Sequence, residues 1–140
     1  MQIHASCVAL NGIGVILLGP SGSGKSDLAL RLLDRGFMLV ADDRVEITNG
    51  MARPPAPLAG LLEVRGLGII RFPHLAEARL ALAVDLGAPP PRLPEPARHP
   101  TLGLPMIALD PWPQSAAQRV ALALDCLNGR IVPHSGALGT

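Results

Sequence analysis

Residues Gly19-Pro20-Ser21-Gly22-Ser23-Gly24-Lys25-Ser26 match the spacing G-x-x-x-x-G-K-[ST] in full. Residues of these types at this spacing bind phosphate. The glycines let backbone N–H groups close around phosphate oxygens, Lys25 reaches the β/γ-phosphates, and the Ser26 hydroxyl is a hard ligand for magnesium. A glycine-rich strand-to-helix turn with an incidental Lys-Ser is the alternative, and the flanks decide against it. The apolar run Val15-Ile16-Leu17-Leu18 precedes the loop, and the helical pattern Asp27-Leu28-Ala29-Leu30-Arg31-Leu32-Leu33 follows it. A strand thus delivers the loop, and a helix N-terminus adds its positive partial charge. The expected ligand is a nucleotide or a similar polyphosphate.

Three further groups carry chemistry. Asp42-Asp43 follows directly on the apolar run Phe37 to Ala41, where a metal-positioning or base carboxylate stands relative to a phosphate loop. Strand alternation lets one of the two face the phosphates; a turn or helix-cap carboxylate is the plainer reading. Glu63 and Arg65 flank Val64 ahead of Gly66-Leu67-Gly68. By spacing alone they read as a solvent-facing ion pair beside a turn. His4, read alone, is an ordinary half-buried histidine on a strand next to the loop strand.

The elements that position these residues can be read from pattern. Ile3 to Leu10 reads as a strand, and Asn11-Gly12 as a hairpin turn returning through Gly14 to Leu18. The first helix is predicted over Lys25 to Arg35, with Gly36 as its left-handed cap. Phe37 to Ala41 is a short buried strand, and Arg44 to Thr48 is a strand ending at a second hairpin signal, Asn49-Gly50. Arg53 to Pro57 must be a loop or an edge, because its prolines cannot donate to a ladder. Arg79 to Leu86 is a further strand, and Pro89 to Pro96 a surface loop. Ser115 is placed to cap a helix over Ala116 to Leu127, with Val120, Leu122, Ala123, Leu124 and Leu127 forming an apolar face. The result is one α/β domain over residues 1–140 with a mixed sheet, since two hairpins supply antiparallel pairs.

Composition limits the function classes. The chain is 140 residues long, 49% apolar but 2% aromatic, so Leu, Ala, Val and Ile build the core. The formal charge of +1 argues against a nucleic-acid footprint or a membrane-attracted surface. Cys7 and Cys126 have no metal-ligand or CxxC spacing and read as buried thiols of a reducing compartment. Met1-Gln2-Ile3-His4 lacks the basic start of a signal peptide. Ala5 to Gly24 is uncharged but holds Asn11, Pro20, three serines and five glycines, which a spanning helix does not tolerate. A cytoplasmic protein is expected.

Taken together, these residues resemble the catalytic domain of the HPr kinase/phosphorylase family, enzymes that phosphorylate a serine of a small phosphocarrier protein. The resemblance runs in order through His4, the loop Gly19 to Ser26, Val40-Ala41-Asp42-Asp43, Leu62-Glu63-Val64-Arg65-Gly66-Leu67-Gly68-Ile69-Ile70, and Arg92-Leu93. It covers residues 1 to 93. It implies a phosphoenolpyruvate-carboxykinase-like P-loop fold and an ATP- and Mg²⁺-dependent protein-serine kinase acting on an HPr-like carrier of a phosphotransferase system. It also implies that Lys25 and the loop amides hold the phosphates, that Ser26 and Glu63 hold Mg²⁺, and that Asp43 accepts the serine proton. His4 orients that carboxylate, and Arg92 approaches the transferring group. A homo-oligomer follows from the same resemblance.

Two departures sharpen the expectation. Few residues precede the catalytic strand, which resembles the short proteobacterial form without the amino-terminal domain. The family's arginine-bearing Pro-x-Arg-Pro-Gly-Arg loop, linked to phosphorolysis and to subunit contacts, is matched here only by Leu104 to Leu109, with no arginine. Kinase activity with weak phosphorolysis is therefore expected. Two other readings stay open on sequence: a P-loop kinase or NTPase with a small-molecule substrate, and a nucleotide-sensing regulatory module.

Overall fold

The computed structural model describes residues 1–139. Its strands are β1 (Gln2–Ile3), β2 (Ser6–Leu10), β3 (Ile13–Leu18), β4 (Met38–Ala41), β5 (Val45–Thr48), β6 (Met51–Arg53), β7 (Leu61–Val64), β8 (Gly68–Arg71), β9 (Ala78–Asp85), β10 (Ala97–Arg98) and β11 (Pro105–Ala108). The described residues also form two α-helices, α1 (Lys25–Leu33) and α2 (Ala116–Leu127), and one 3-10 turn at Ala56–Leu58. The fold is mixed α/β.

The main sheet runs β1-β5-β6-β9-β3-β2-β4, with β11 also paired to β9 and β10 to β11. It is mixed, as the hairpin signals require: β2 pairs antiparallel with β3 and with β4, whereas β9 runs parallel to β3 and β11 parallel to β9. Asn11-Gly12 and Asn49-Gly50 all have positive φ, the conformation of the tight hairpin turns that suit strand twist. The topology sends the carboxyl ends of β3, β4, β9 and β11 to one edge of the sheet. β2, antiparallel to its neighbours, begins there.

Alternation divides the core between the two faces. Val8, Val15, Leu17, Leu82 and Val84 join Leu28, Ala29 and Leu32 of α1 and Val120 and Leu124 of α2. Cys7, Ala9, Ile16 and Ala83 point the other way, to Val40, Val45, Ile47 and Ala52. Since β4 and β5 lie near opposite ends of the strand order, their meeting in one cluster shows that the sheet curls over this face. Each fully buried leucine of α1 contributes about 1.5–3 kcal/mol, and that burial holds the helix against the strand that delivers the loop.

Several expectations need correction. The first strand splits into β1 and β2, with His4 and Ala5 between them. Helix α1 stops at Leu33, because Phe37 N–H bonds back to the Leu32 carbonyl and Gly36 takes φ 94°. Ser115 makes no side-chain cap to α2. The buried side of α2 is Ala116, Ala117, Val120, Ala123 and Leu124, while Leu122 and Leu127 are exposed. Within Leu104 to Leu109, Pro105–Ala108 forms strand β11. Cys7 is buried and Cys126 partly exposed, both as free thiols. No described helix is long and apolar enough to cross a membrane.

Candidate functional site

The glycine-rich loop turns from Leu18 of β3 into α1 at the edge where the parallel strands end. Gly24 stands at φ 98° immediately before the helix, a conformation costly for any residue with a Cβ. Inside the loop, Ser23 N–H bonds to the Pro20 carbonyl. Lys25 is 7% exposed, and its Nζ donates to the carbonyls of Gly19 at 2.6 Å and Pro20 at 3.0 Å. Burial lowers its pKa, and the charges of Asp42 and Asp43 oppose that shift. Both carboxylates therefore act on the lysine at the head of α1. The Ser23 Oγ is buried and has no partner among the described residues.

Asp42 is buried, and its Oδ1 accepts two hydroxyl hydrogen bonds, from Ser26 at 2.8 Å and from Ser6 at 2.6 Å. These contacts follow from register. Cys7 of β2 pairs with Ala41 of β4, so Ser6 stands beside the residue after the strand. Asp43 departs from strand geometry, with φ 71°. That left-handed turn, which Asp tolerates better than most residues, breaks the alternation that would have sent the two side chains to opposite faces. Asp43 is exposed, and its Oδ1 lies 2.9 Å from His4 Nε2. An ionised carboxylate only accepts hydrogen bonds, so Nε2 is the donor. The backbone fixes the pair as well, through Ala5 N–H to the Asp43 carbonyl.

His4, Lys25, Ser26, Asp42 and Asp43 are thus gathered at one sheet edge. Two other sequence candidates are not joined to them by hydrogen bonds. Glu63 lies on β7, paired with Ile69 of the β7–β8 hairpin, and its side chain is exposed. The neighbouring Leu62 is fully buried and β7 packs against α1, so the hairpin is carried by the helix that follows the loop. Among the described residues Glu63 bonds neither Ser26 nor Arg65. Arg92 is exposed in the irregular segment after β9 and makes no hydrogen bond or ion pair among the described residues. Sequence reasoning missed Ser6. Its signal was the i, i+2 spacing from His4 along an extended segment.

The donor set suits a hard divalent cation. Ser26 and Asp42 offer hydroxyl and carboxylate oxygen at the loop, and Asp42 Oδ2 has no hydrogen bond among the described residues. The described residues hold no cluster of three or more His, Cys, Asp or Glu that could cage a metal. A magnesium ion bound mainly through phosphate and water needs only one or two carboxylates.

The fold matches the HPr(Ser) kinase/phosphatase structure from Coxiella burnetii with a TM-score of 0.71, covering 93% of this chain and 96% of that one at 23% identity. That likeness defines the class as a mixed α/β domain of this architecture. Residues 1–78 match the family model "HPr Serine kinase C-terminal domain", and the chain belongs to that family. A curated relative, the HPr kinase/phosphorylase of Clostridium novyi (strain NT), is 47% identical over 78 residues, which are 53% of this chain and 25% of the relative. The chain matches about a quarter of that protein's length.

Proposed function

We propose that this chain is an ATP-dependent protein-serine kinase whose substrate is an HPr-like phosphocarrier, with residues 1–140 forming one P-loop, phosphoenolpyruvate-carboxykinase-like catalytic domain. The observation that carries this reading is the pair of adjacent carboxylates with separate tasks. Asp42 is tied to the loop serine, and Asp43 is tied to His4 and open to solvent, where a protein substrate can approach.

The roles follow from that arrangement. Loop amides from Gly19 to Gly24, together with Lys25, bind the β/γ-phosphates. Ser26 and Asp42, with Glu63 in support, would hold Mg²⁺, which supplies charge neutralisation on the phosphates when bound. Asp43 accepts the proton of the incoming serine hydroxyl as its oxygen bonds to the γ-phosphorus and the bond to ADP breaks. His4 donates to Asp43 and fixes the carboxylate's direction. Lys25, desolvated and facing the opposing charges of the two aspartates, stabilises the developing negative charge. Arg92, on the exposed irregular segment beyond β9, approaches the transferring phosphoryl group from the substrate side.

Phosphorolysis uses the same residues backwards, with Asp43 protonating the serine oxygen as inorganic phosphate attacks the phosphoserine. Leu104 to Leu109, which holds β11, carries no arginine to hold that phosphate, so that direction is the slower one in this reading. A cytoplasmic homo-oligomer is part of the same reading. The test is incubation of the purified chain with labelled ATP, Mg²⁺ and HPr-like carriers, then mapping of the labelled residue. Label on a carrier serine is expected. A folded, ATP-binding protein that labels only a small molecule, or nothing, would overturn the proposal.

A further inference from the structure

Segment Leu109 to Pro113 leaves the carboxyl end of β11 and lies against the glycine-rich loop on the side away from Asp42 and Asp43. A Cβ on Gly24 would stand 3.1 Å from Pro111 Cγ and 3.2 Å from Trp112 Cη2, so the indole abuts the loop backbone at the head of α1. Trp112 is nevertheless 64% exposed. It is held there by polar contacts on both sides. Arg31 of α1 donates to the carbonyls of Pro111 and Pro113, and its Nε pairs with Asp27 Oδ2 at 3.1 Å. Trp112 N–H bonds to Asp110 Oδ1 at 3.1 Å, and Leu109 N–H bonds to the Asp85 carbonyl at the end of β9.

From these positions we infer that Trp112 is the stacking platform for the base of the bound nucleotide. The inference rests on the phosphate-loop reading proposed above. At this sheet edge the order is β4, β2, β3, β9, β11. The terminal phosphate belongs beside Asp42 and Asp43 after β4, and the loop after β3 holds the phosphate chain. The nucleoside must leave in the direction that escapes the two carboxylates, toward β9 and β11. There it meets one large aromatic side chain, set between two prolines and open to solvent. A planar base gains stacking energy on such a face without any change in the protein. The lack of a Cβ at Gly24 brings the indole close enough to the loop for one ligand to touch both.

Trp112 is the only tryptophan and the chain has no tyrosine, so its fluorescence reports this site alone. The full chain is titrated with Mg²⁺-ATP and, separately, with Mg²⁺-tripolyphosphate, by fluorescence and by calorimetry. ATP is expected to bind and change the emission strongly, whereas tripolyphosphate binds with little change. Trp112→Ala, shown folded by circular dichroism, is expected to weaken ATP about tenfold and leave tripolyphosphate unchanged, and Trp112→Phe to restore most of the loss. Equal ATP affinity in the parent and Trp112→Ala would overturn the platform while leaving the phosphate loop intact. So would a parallel loss of both ligands in Trp112→Ala, which marks loop packing and not stacking. Failure of the parent to bind either ligand would overturn the phosphate-loop reading itself, and this inference with it.

Discussion

On the β4 side of the glycine-rich loop the chain places His4, Ser6, Asp42 and Asp43, joined by hydrogen bonds of 2.6 to 2.9 Å. On the β11 side it places Pro111, Trp112 and Pro113, fixed through Arg31 to α1. One flank is built of ionisable groups with defined partners; the other presents an apolar surface held by Arg31 on its backbone carbonyls and by Asp110 on the Trp112 N–H. Strands parallel to β3 end at this edge on both sides, β4 on one and β9 and β11 on the other, and antiparallel β2 begins there with Ser6. The difference teaches what each flank can do. Groups that move a proton or hold a cation need directed partners, while a surface that only receives a flat ligand needs rigidity and exposure.

The largest expected effect falls on the loop between the flanks. Lys25→Ala removes the charge nearest the transferring phosphates and is expected to lower transfer by about 10³-fold or more. The fold should survive, because the lysine's contacts are with its own loop. Near-normal turnover in a folded variant would break the comparison at its centre. His4→Gln comes next. It leaves Asp43 with a less directed partner, and a loss of about 10- to 100-fold in kcat with unchanged ATP affinity is expected. An equal loss in affinity would make His4 a structural residue. Glu63→Gln replaces a charged hard ligand with a neutral one, so a higher Mg²⁺ requirement for turnover is expected. A superimposable magnesium titration would confine Glu63 to the surface of its hairpin.

The smallest effect tests the scaffold under the polar flank. Cys7 lies opposite Ala41, and burial pushes its thiol up from 9.0 to about 12. A raised folded-state value means stability that is complete below pH 9 and is lost as pH rises from 9 toward 12, where the unfolded chain ionises and the folded one does not. The stability of the parent relative to Cys7→Ala is expected to fall through that window, with a limiting slope of about 1.4 kcal/mol per pH unit. A flat difference in denaturant melts from pH 9 to 11 would show that Cys7 is reachable by water.

Much of the polar flank was legible before the structure. The loop motif, both Asn-Gly hairpins and the strand before Asp42 are local signals, set by backbone conformation and alternation within a few residues. What alternation could not specify was the direction of Asp43, because positive φ at that residue turns the chain after the strand has ended. The β11 flank was not legible. Pro105 to Ala108 carries no alternating pattern and becomes a strand only because β9 offers its free edge there. Arg31 stands on α1, yet its hydrogen bonds reach Pro111 and Pro113, some 80 residues along the chain. Contacts of that separation leave no mark in a local window. The exposed Leu122 and Leu127 have the same cause, since apolar periodicity cannot say how much of a helix face its sheet has room to cover.

Asp42→Asn and Asp43→Asn, compared side by side, test the central claim most directly, that adjacent carboxylates hold separate tasks. Turnover and Mg²⁺-ATP affinity are measured for both variants and the parent. Asp43→Asn is expected to lose about 10²–10⁴-fold in kcat with ATP affinity kept, since an amide cannot accept the serine proton. Asp42→Asn is expected to weaken magnesium-dependent nucleotide binding and to be partly relieved by added Mg²⁺. The reverse pattern, with affinity lost in Asp43→Asn and kcat alone lost in Asp42→Asn, would contradict the account.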